Sequence, residues 1–388
     1  METDRSIINK AYSIAEKSLK SCYNDYGVSA GKHHFVDIWA RDSFFALLGT
    51  DDYKTLKLNL QTFLSYTNKN GHVPYRILLS SINLMKYLGK PTYLDSPKAN
   101  YRSLQTGGKI VDGGLLLVIS LNYYIQKTKD LKFLNQHWQT IKNIFYFYNK
   151  YRKNDLLKQD LLCEWYDAVY KSGYSLYLNV LYLRFLKDFS DLASIQNDLS
   201  LKNESFEIKA KLYEDFIIKF WNDDYFDDWI DFKNNHIFNP NYNLLAVIFD
   251  VIDKKYQHTI IHYLDKNYKS NDFALETSYP KYPFWRIPFY NYLLGVGDYC
   301  NGLKWLQSIC FYSVALKNIG KLKESQKILR VVAEKIVEYN DVYEVYERNG
   351  KPLKRLFYKS ESPFAWSSGL FLFAYKVLYE DFRYLWNN

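Results

Sequence analysis

Five stretches of this 388-residue chain carry acidic or amide side chains, four of them among aromatic ones. Trp39-Ala40-Arg41-Asp42 places a carboxylate and a guanidinium just after an indole. Cys163-Glu164-Trp165-Tyr166-Asp167-Ala168 sets another carboxyl against two large rings, and Tyr343-Glu344-Val345-Tyr346-Glu347 does so again far downstream. Ile110-Val111-Asp112-Gly113-Gly114 and the turn Tyr299-Cys300-Asn301-Gly302-Leu303-Lys304-Trp305 lie between. Two carboxyls from distant parts of one chain can divide acid and base work. Asp42 can accept two hydroxyls, Arg41 donates a planar fork, and the rings offer faces on which a sugar can stack. A carboxyl flanked by Trp165 and Tyr166 in an apolar cleft has its neutral form favoured, as a proton donor at neutral pH requires. Plainer uses exist for each: Asp42 against a helix dipole, Asp112 as a helix N-cap, Asp167 in a surface loop.

In this order the stretches resemble those of helical-toroid glycoside hydrolases, in particular neutral/alkaline invertases and the amylo-1,6-glucosidase part of glycogen debranching enzymes. His34 to Gly49 is similar to the segment that opens the substrate cleft, and Asn70-Gly71-His72-Val73-Pro74-Tyr75-Arg76 to a loop in which Asn is usual at the Tyr75 place. Trp165 to Ala168, followed by Asn179, is similar to the stretch carrying the general acid, with Tyr177 where a Glu is usual. Tyr299, Asn301, Gly302 and Trp305 match a Y-H-N-G-x-x-W turn, with Cys300 in the His place. Tyr343 to Glu347 resembles the stretch with the general base, and Phe364-Ala365-Trp366-Ser367-Ser368-Gly369 the opening of the last helix.

The resemblance implies an all-α (α/α)6 toroid, six helical hairpins around a central cleft, formed by residues 1–388 as a single catalytic domain. It implies an inverting hydrolase of an α-glucosidic bond in an oligosaccharide or disaccharide. Asp167 takes the acid position and Glu344 the base position, with Glu347 as the other carboxylate of that stretch. Substrate contacts fall on Trp39, Arg41, Asp42, Arg76, Asp112, Trp165, Tyr299, Asn301, Gly302, Trp305 and Trp366. No metal or organic cofactor is implied. The departures at Tyr177 and Cys300 keep open a relative that retained the cleft only to bind carbohydrate.

The elements that must position these residues are helices. Apolar recurrence at three- and four-residue spacing marks about a dozen, near 4–20, 52–68, 113–127, 131–150, 203–221 and 366–380. Two further stripes are Leu181-Phe185-Phe189-Leu192 and Ile328-Leu329-Val332-Ile336. Alternating β patterns are few, and periodicity alone supports an all-α single domain. One motif points elsewhere. Asp223-Asp224-Tyr225-Phe226-Asp227 reads as the D-D-x-x-D of helical terpene synthases and prenyltransferases, which bind magnesium diphosphate. The second metal motif expected toward the C-terminus is missing, so Asp223, Asp224 and Asp227 are expected on an exposed loop or helix end outside the cleft.

Composition sets the remaining bounds. A hydrophobic share of 48% with 24% charged residues excludes a disordered chain. The net charge of +9 comes from scattered lysines, without the basic stripe of a nucleic-acid binder. Cys22, Cys163, Cys300 and Cys310 show no zinc spacing and read as free thiols. The N-terminus is unlike a signal peptide and no stretch suits a bilayer, so a cytoplasmic protein without membrane or nucleic-acid partners is expected.

Overall fold

A computed structural model describes residues 2–87, 89–231, 236–267, 272–380 and 382. Among them, twelve long helices alternate along the chain between two kinds. Ala40–Leu47, Asp112–Thr128, Leu176–Ile195, Pro240–Ile248, Leu306–Asn318 and Ala365–Tyr379 are buried on almost every side. Glu2–Ser21, Tyr53–Ser65, Leu131–Tyr151, Leu199–Phe220, Lys254–Asn267 and Leu322–Tyr339 alternate with them. The helices of this second set bury one stripe, as Leu322–Tyr339 does with Ile328, Leu329, Val332 and Ile336. A helix apolar all round has to be enclosed, whereas a striped one can face water. The packing follows. The six enclosed helices touch one another in cyclic order, Ala365–Tyr379 closing the circuit on Ala40–Leu47, and each striped helix packs against an enclosed one.

Glycine permits that closure. A Cβ on Gly369 would lie 2.1 Å from the Ala46 carbonyl oxygen, and one on Gly49 2.3 Å from the Gly369 oxygen. Any side chain at either position would push the two helices apart.

The connections are unequal. Enclosed helices turn quickly into the striped helix that follows, several with an aspartate cap. Asp52 accepts from the Thr55 amide at 3.0 Å, Asp130 from Phe133 at 3.1 Å and Asp198 from Leu201 at 3.3 Å. The return connections are long and carry small antiparallel sheets. These are Ile38–Trp39 with Arg76–Ser80 and Tyr93–Asn100, Lys158–Gln159 with Gly173–Ser175 and Trp229–Ile230, and Leu275–Glu276 with Lys304–Trp305 and Val345–Tyr346. In each trio one strand runs straight into the N-terminus of an enclosed helix, at Ala40, Leu176 and Leu306. The sheets therefore sit over one end of the helix circuit, and the residues singled out in the sequence lie in or beside them.

One apolar cluster runs through the enclosed helices from Ile8 to Leu378. The four cysteines are buried and free. No helix among the described residues is long and apolar enough to cross a membrane. The D-D-x-x-D expectation needs a correction. Asp223 and Asp224 are exposed, but Asp227 is buried, where it accepts from Asn222 at 2.7 Å and meets His236 Nδ1 at 3.1 Å. The three carboxylates therefore do not share one exposed face.

Candidate active site

The segment 37–42 enters the helix Ala40–Leu47 from a strand, which puts Trp39, Arg41 and Asp42 at the sheet end of the circuit. Arg41 is buried, and its Nε donates to Asp112 Oδ2 at 2.7 Å. Asp112 is the first residue of its helix, fully buried, and takes a second bond from the Tyr177 hydroxyl at 3.3 Å. Its carboxylate makes no cap hydrogen bond; it serves Arg41, and its other oxygen has no hydrogen-bond partner. Tyr177 is part of this support.

Asp42 and Asp167 share the neighbourhood of Arg41. Burial pushes Asp42 up to about 7, with Arg41 pulling down and Asp112 and Asp167 adding repulsion. Asp167 is half-buried and pushed up to about 6, again mainly by burial, with Arg41 and Arg76 pulling down and Glu164 pushing up. Arg76 lies 4.3 Å over the Trp39 ring and is bound by Asp37 through Nε at 2.8 Å. Asp37 also pairs with Lys86 and accepts from the Leu79 and Ser80 amides at 2.9 and 3.1 Å. Sequence reading missed Asp37 and Lys86; nothing in their spacing ties a carboxylate to cations on another loop.

The loop carrying Asp167 is pinned at both ends. Glu164 and Lys171, each buried, pair with one another, and Lys171 Nζ also reaches Asp228 Oδ2 at 3.1 Å. Ser175 donates to Glu164 at 2.5 Å and Tyr282 to Asp228 at 2.5 Å, while the Tyr166 and Tyr242 rings stand 4.8 and 5.2 Å from the ammonium. Burial raises Glu164 while Lys171 lowers it. This buried triad anchors the loop three residues before Asp167 and four after it, so the backbone that carries Asp167 is set in advance.

Glu344 stands on different support. It is buried, and its carboxylate accepts from the hydroxyls of Tyr299 and Tyr358, the latter at 2.7 Å, and from the Glu361 amide at 3.2 Å. Burial pushes it up to about 8; the two phenols and the amide pull down, and Glu361 pushes up. Glu361 in turn accepts from the amides of His34 and Phe35 at 2.8 and 3.0 Å and meets His33 Nδ1 at 2.8 Å. Glu361 was not foreseen, although the Ser362-Pro363 turn beside it was a visible break. Glu347, the other carboxylate of this stretch, faces outward and is paired with Arg355.

Aromatic contacts join the two regions. Trp165 packs edge-on against Trp305 at 5.7 Å and lies 4.6 Å from Trp366, and Trp305 meets Tyr299 at 4.9 Å. The Cys300 thiol is raised mainly by burial, and the charges of Asp167 and Glu344 both oppose its ionised form, so both carboxyls lie within electrostatic reach of one residue. Trp305 and Trp366 are buried as wall residues. Asn301 has its amide committed to the backbone of Tyr282, accepting at 2.7 Å and donating at 3.0 Å. Gly302, at φ +111, lets the chain pass the ends of Lys281 and Arg348, where a Cβ would come within 2.8 and 2.9 Å. These two residues shape the turn that presents Tyr299.

No protein-family model matches the sequence, and no curated protein matches it. Solved structures do. A rhamnosidase from Klebsiella oxytoca, with rhamnose bound, superposes with a TM-score of 0.69 at 14% identity over 95% of this chain. The chain spans 63% of that rhamnosidase's length. A GH63 mannosylglycerate hydrolase from Thermus thermophilus gives 0.67 at 13% identity, covering 93% of this chain and 99% of its own. A glycosidase in complex with glucose gives 0.65 at 12% identity, covering 96% and 97%. At such identities the likeness is one of fold: the helix-rich arrangement seen here is shared with structures of glycoside hydrolases.

Proposed function

We propose that the chain is an inverting glycoside hydrolase, a single (α/α)6 toroid that cleaves an α-glucosidic bond. The cyclic order of six enclosed helices, each with a striped outer partner, supports the toroid. The observation that carries the activity is the pair Asp167 and Glu344. They are drawn from loops far apart in sequence, both are raised by burial, and the charge of each bears on the Cys300 thiol. In this reading Asp167 protonates the glycosidic oxygen and Glu344 activates water on the opposite face, their carboxyls roughly 6.5–9.5 Å apart. Trp39 supplies a stacking face, while Arg41, Asp42 and Arg76 meet sugar hydroxyls. Asp112 and Tyr177 orient Arg41.

Inversion is tested by proton NMR, which should show the opposite anomer early in the reaction. Asp167→Asn should lose about 10²–10⁴-fold on a natural disaccharide and less on a nitrophenyl glycoside, whose leaving group needs little protonation. Unchanged turnover of the disaccharide would remove Asp167 from the acid role. One observation favours exchanged roles: Glu344 is raised further than Asp167, and the more strongly raised carboxyl is the better proton reservoir at neutral pH. In that case the leaving-group dependence appears in Glu344→Gln instead.

A further inference from the structure

We propose that the mouth of this cleft is an apolar subsite for the leaving group, suited to a glycoside whose aglycone is a hydrocarbon chain or an aryl group. The inference rests on the hydrolase reading and adds the class of aglycone to it.

The placement comes from hydrogen bonds. The Arg286 carbonyl accepts from the Tyr170 amide at 2.6 Å, and Arg286 Nη1 donates back to the Tyr170 carbonyl at 3.1 Å, three residues beyond Asp167. At the other end of the same segment, Gly295 accepts from Arg355 Nε at 3.2 Å, and Arg355 also meets Asp298 at 3.5 Å. Leu356 and Phe357 follow Arg355, and the next residue is Tyr358, whose hydroxyl bonds Glu344. Residues 284–298 thus bridge the loop of one candidate carboxyl and the hairpin beside the other. Tyr290 agrees with this: its hydroxyl is pushed up to about 12 by burial first and by the Asp167 charge next.

The surface of the bridge is apolar. Phe284 is 77% exposed, Phe289 71%, Leu293 65%, Leu356 88% and Phe357 66%. From Ile287 to Gly297 the chain carries no charged residue. Exposed hydrophobic side chains gathered on one segment and on the hairpin that Arg355 ties to it are of the kind that marks a binding site. The chemistry narrows the occupant. A general acid works on the leaving-group oxygen, so whatever borders it at the mouth receives the leaving group. A sugar there could stack on a ring, but most of its hydroxyls would lie against Phe284, Phe289, Leu293, Leu356 and Phe357, with only the tips of Trp285, Tyr290 and Tyr292 able to hydrogen-bond. An alkyl or aryl group loses nothing and gains burial.

The test compares octyl and methyl glycosides of glucose, mannose and rhamnose, whose leaving alcohols make similar demands on the acid. Binding is measured by calorimetry on the Asp167→Asn protein, below micelle-forming concentrations, and turnover on the wild type. The octyl glycoside should bind at least about tenfold more tightly, for which burial of two methylenes suffices. Phe289→Ser with Leu293→Ser should bring the octyl-to-methyl ratio close to one, as should Leu356→Ser on the separate hairpin. Equal binding of the two glycosides overturns the subsite; if both are hydrolysed, the hydrolase reading stands without it. Tight, patch-dependent octyl binding with no turnover by wild type supports the subsite and overturns the hydrolase reading. A dimer that the double substitution converts to monomer, with no octyl preference, assigns the patch to a second copy of the chain and overturns the inference.

Discussion

The two carboxyl-bearing regions of the candidate site meet the same problem, a buried carboxyl, with different means. Around Asp42 and Asp167 the compensation is cationic: Arg41 is held by Asp112, and Arg76 by Asp37. Around Glu344 it is neutral, two phenols and one amide, with the carboxylate of Glu361 close by. Burial is the leading cause of the shift on both sides: Asp167 rises to about 6 and Asp42 to about 7 on the cationic side, and Glu344 to about 8 on the neutral one. A nearby full positive charge stabilises an ionised carboxylate more than a dipolar donor does. The contrast separates the proton affinities of the two groups, as a division into acid and base requires.

The largest effect should come from removing the cation. Arg41→Met leaves Asp112 charged and fully buried, and breaking such a pair costs about 3–5 kcal/mol. Urea denaturation should show the loss, and the pH profile should show Asp167 titrating above about 6 because Arg41 no longer lowers it. An unchanged urea midpoint would mean that the pair carries no such weight.

A smaller change tests the neutral side. Tyr358→Phe removes one of the donors that lower Glu344, so its titration should move upward by about one pH unit, from about 8. If Glu344 is the base, the shift appears in the limb where kcat/KM rises with pH. If the roles are exchanged, it appears in the limb where kcat/KM falls. A profile that does not move would detach Glu344 from the chemistry.

The last effect is on stability, and its sign is set by Glu344. Glu344 has its folded pKa raised from an ordinary 4.5 to about 8. Below the lower value both states hold the proton and the group costs nothing. Between the two values the unfolded chain has lost the proton while the folded one keeps it, so stability falls as pH rises, until it levels above about 8. Glu344→Gln does not titrate. Its melting temperature should gain on wild type by a few degrees as pH goes from 5 to 9; a constant difference would indicate a carboxyl with ordinary acidity.

Legibility in the sequence followed exposure and length. Most of the striped helices announced themselves by period, as Ile328-Leu329-Val332-Ile336 does in Leu322–Tyr339. Of the enclosed helices, the longer Asp112–Thr128, Leu176–Ile195 and Ala365–Tyr379 were read from their apolar runs. The shorter Ala40–Leu47, Pro240–Ile248 and Leu306–Asn318 were not delimited, because a short helix buried on all sides has no polar face and too few turns to show a period. In the site, the motif residues Trp39, Asp42, Asp167, Tyr299 and Glu344 stood out through their aromatic settings. Their partners did not. Asp37, Lys86, Lys171, Asp228 and Glu361 are ordinary charged residues in sequence, and only the loops that bury them turn them into supports.

The sequence by itself determined that the chain is helical, that it is globular, and which stretches offer carboxyls beside rings. These are properties of local pattern and composition. Tertiary structure decided how each carboxyl is compensated, since desolvation and charge depend on neighbours dozens of residues away along the chain. It also decided that Asp112 serves Arg41, that Asn301 holds Tyr282 and that Asp227 turns inward. A side chain's partners are set by which backbones meet: Arg41 and Asp112 stand 71 residues apart in sequence, and Tyr299 and Glu344 stand 45 apart.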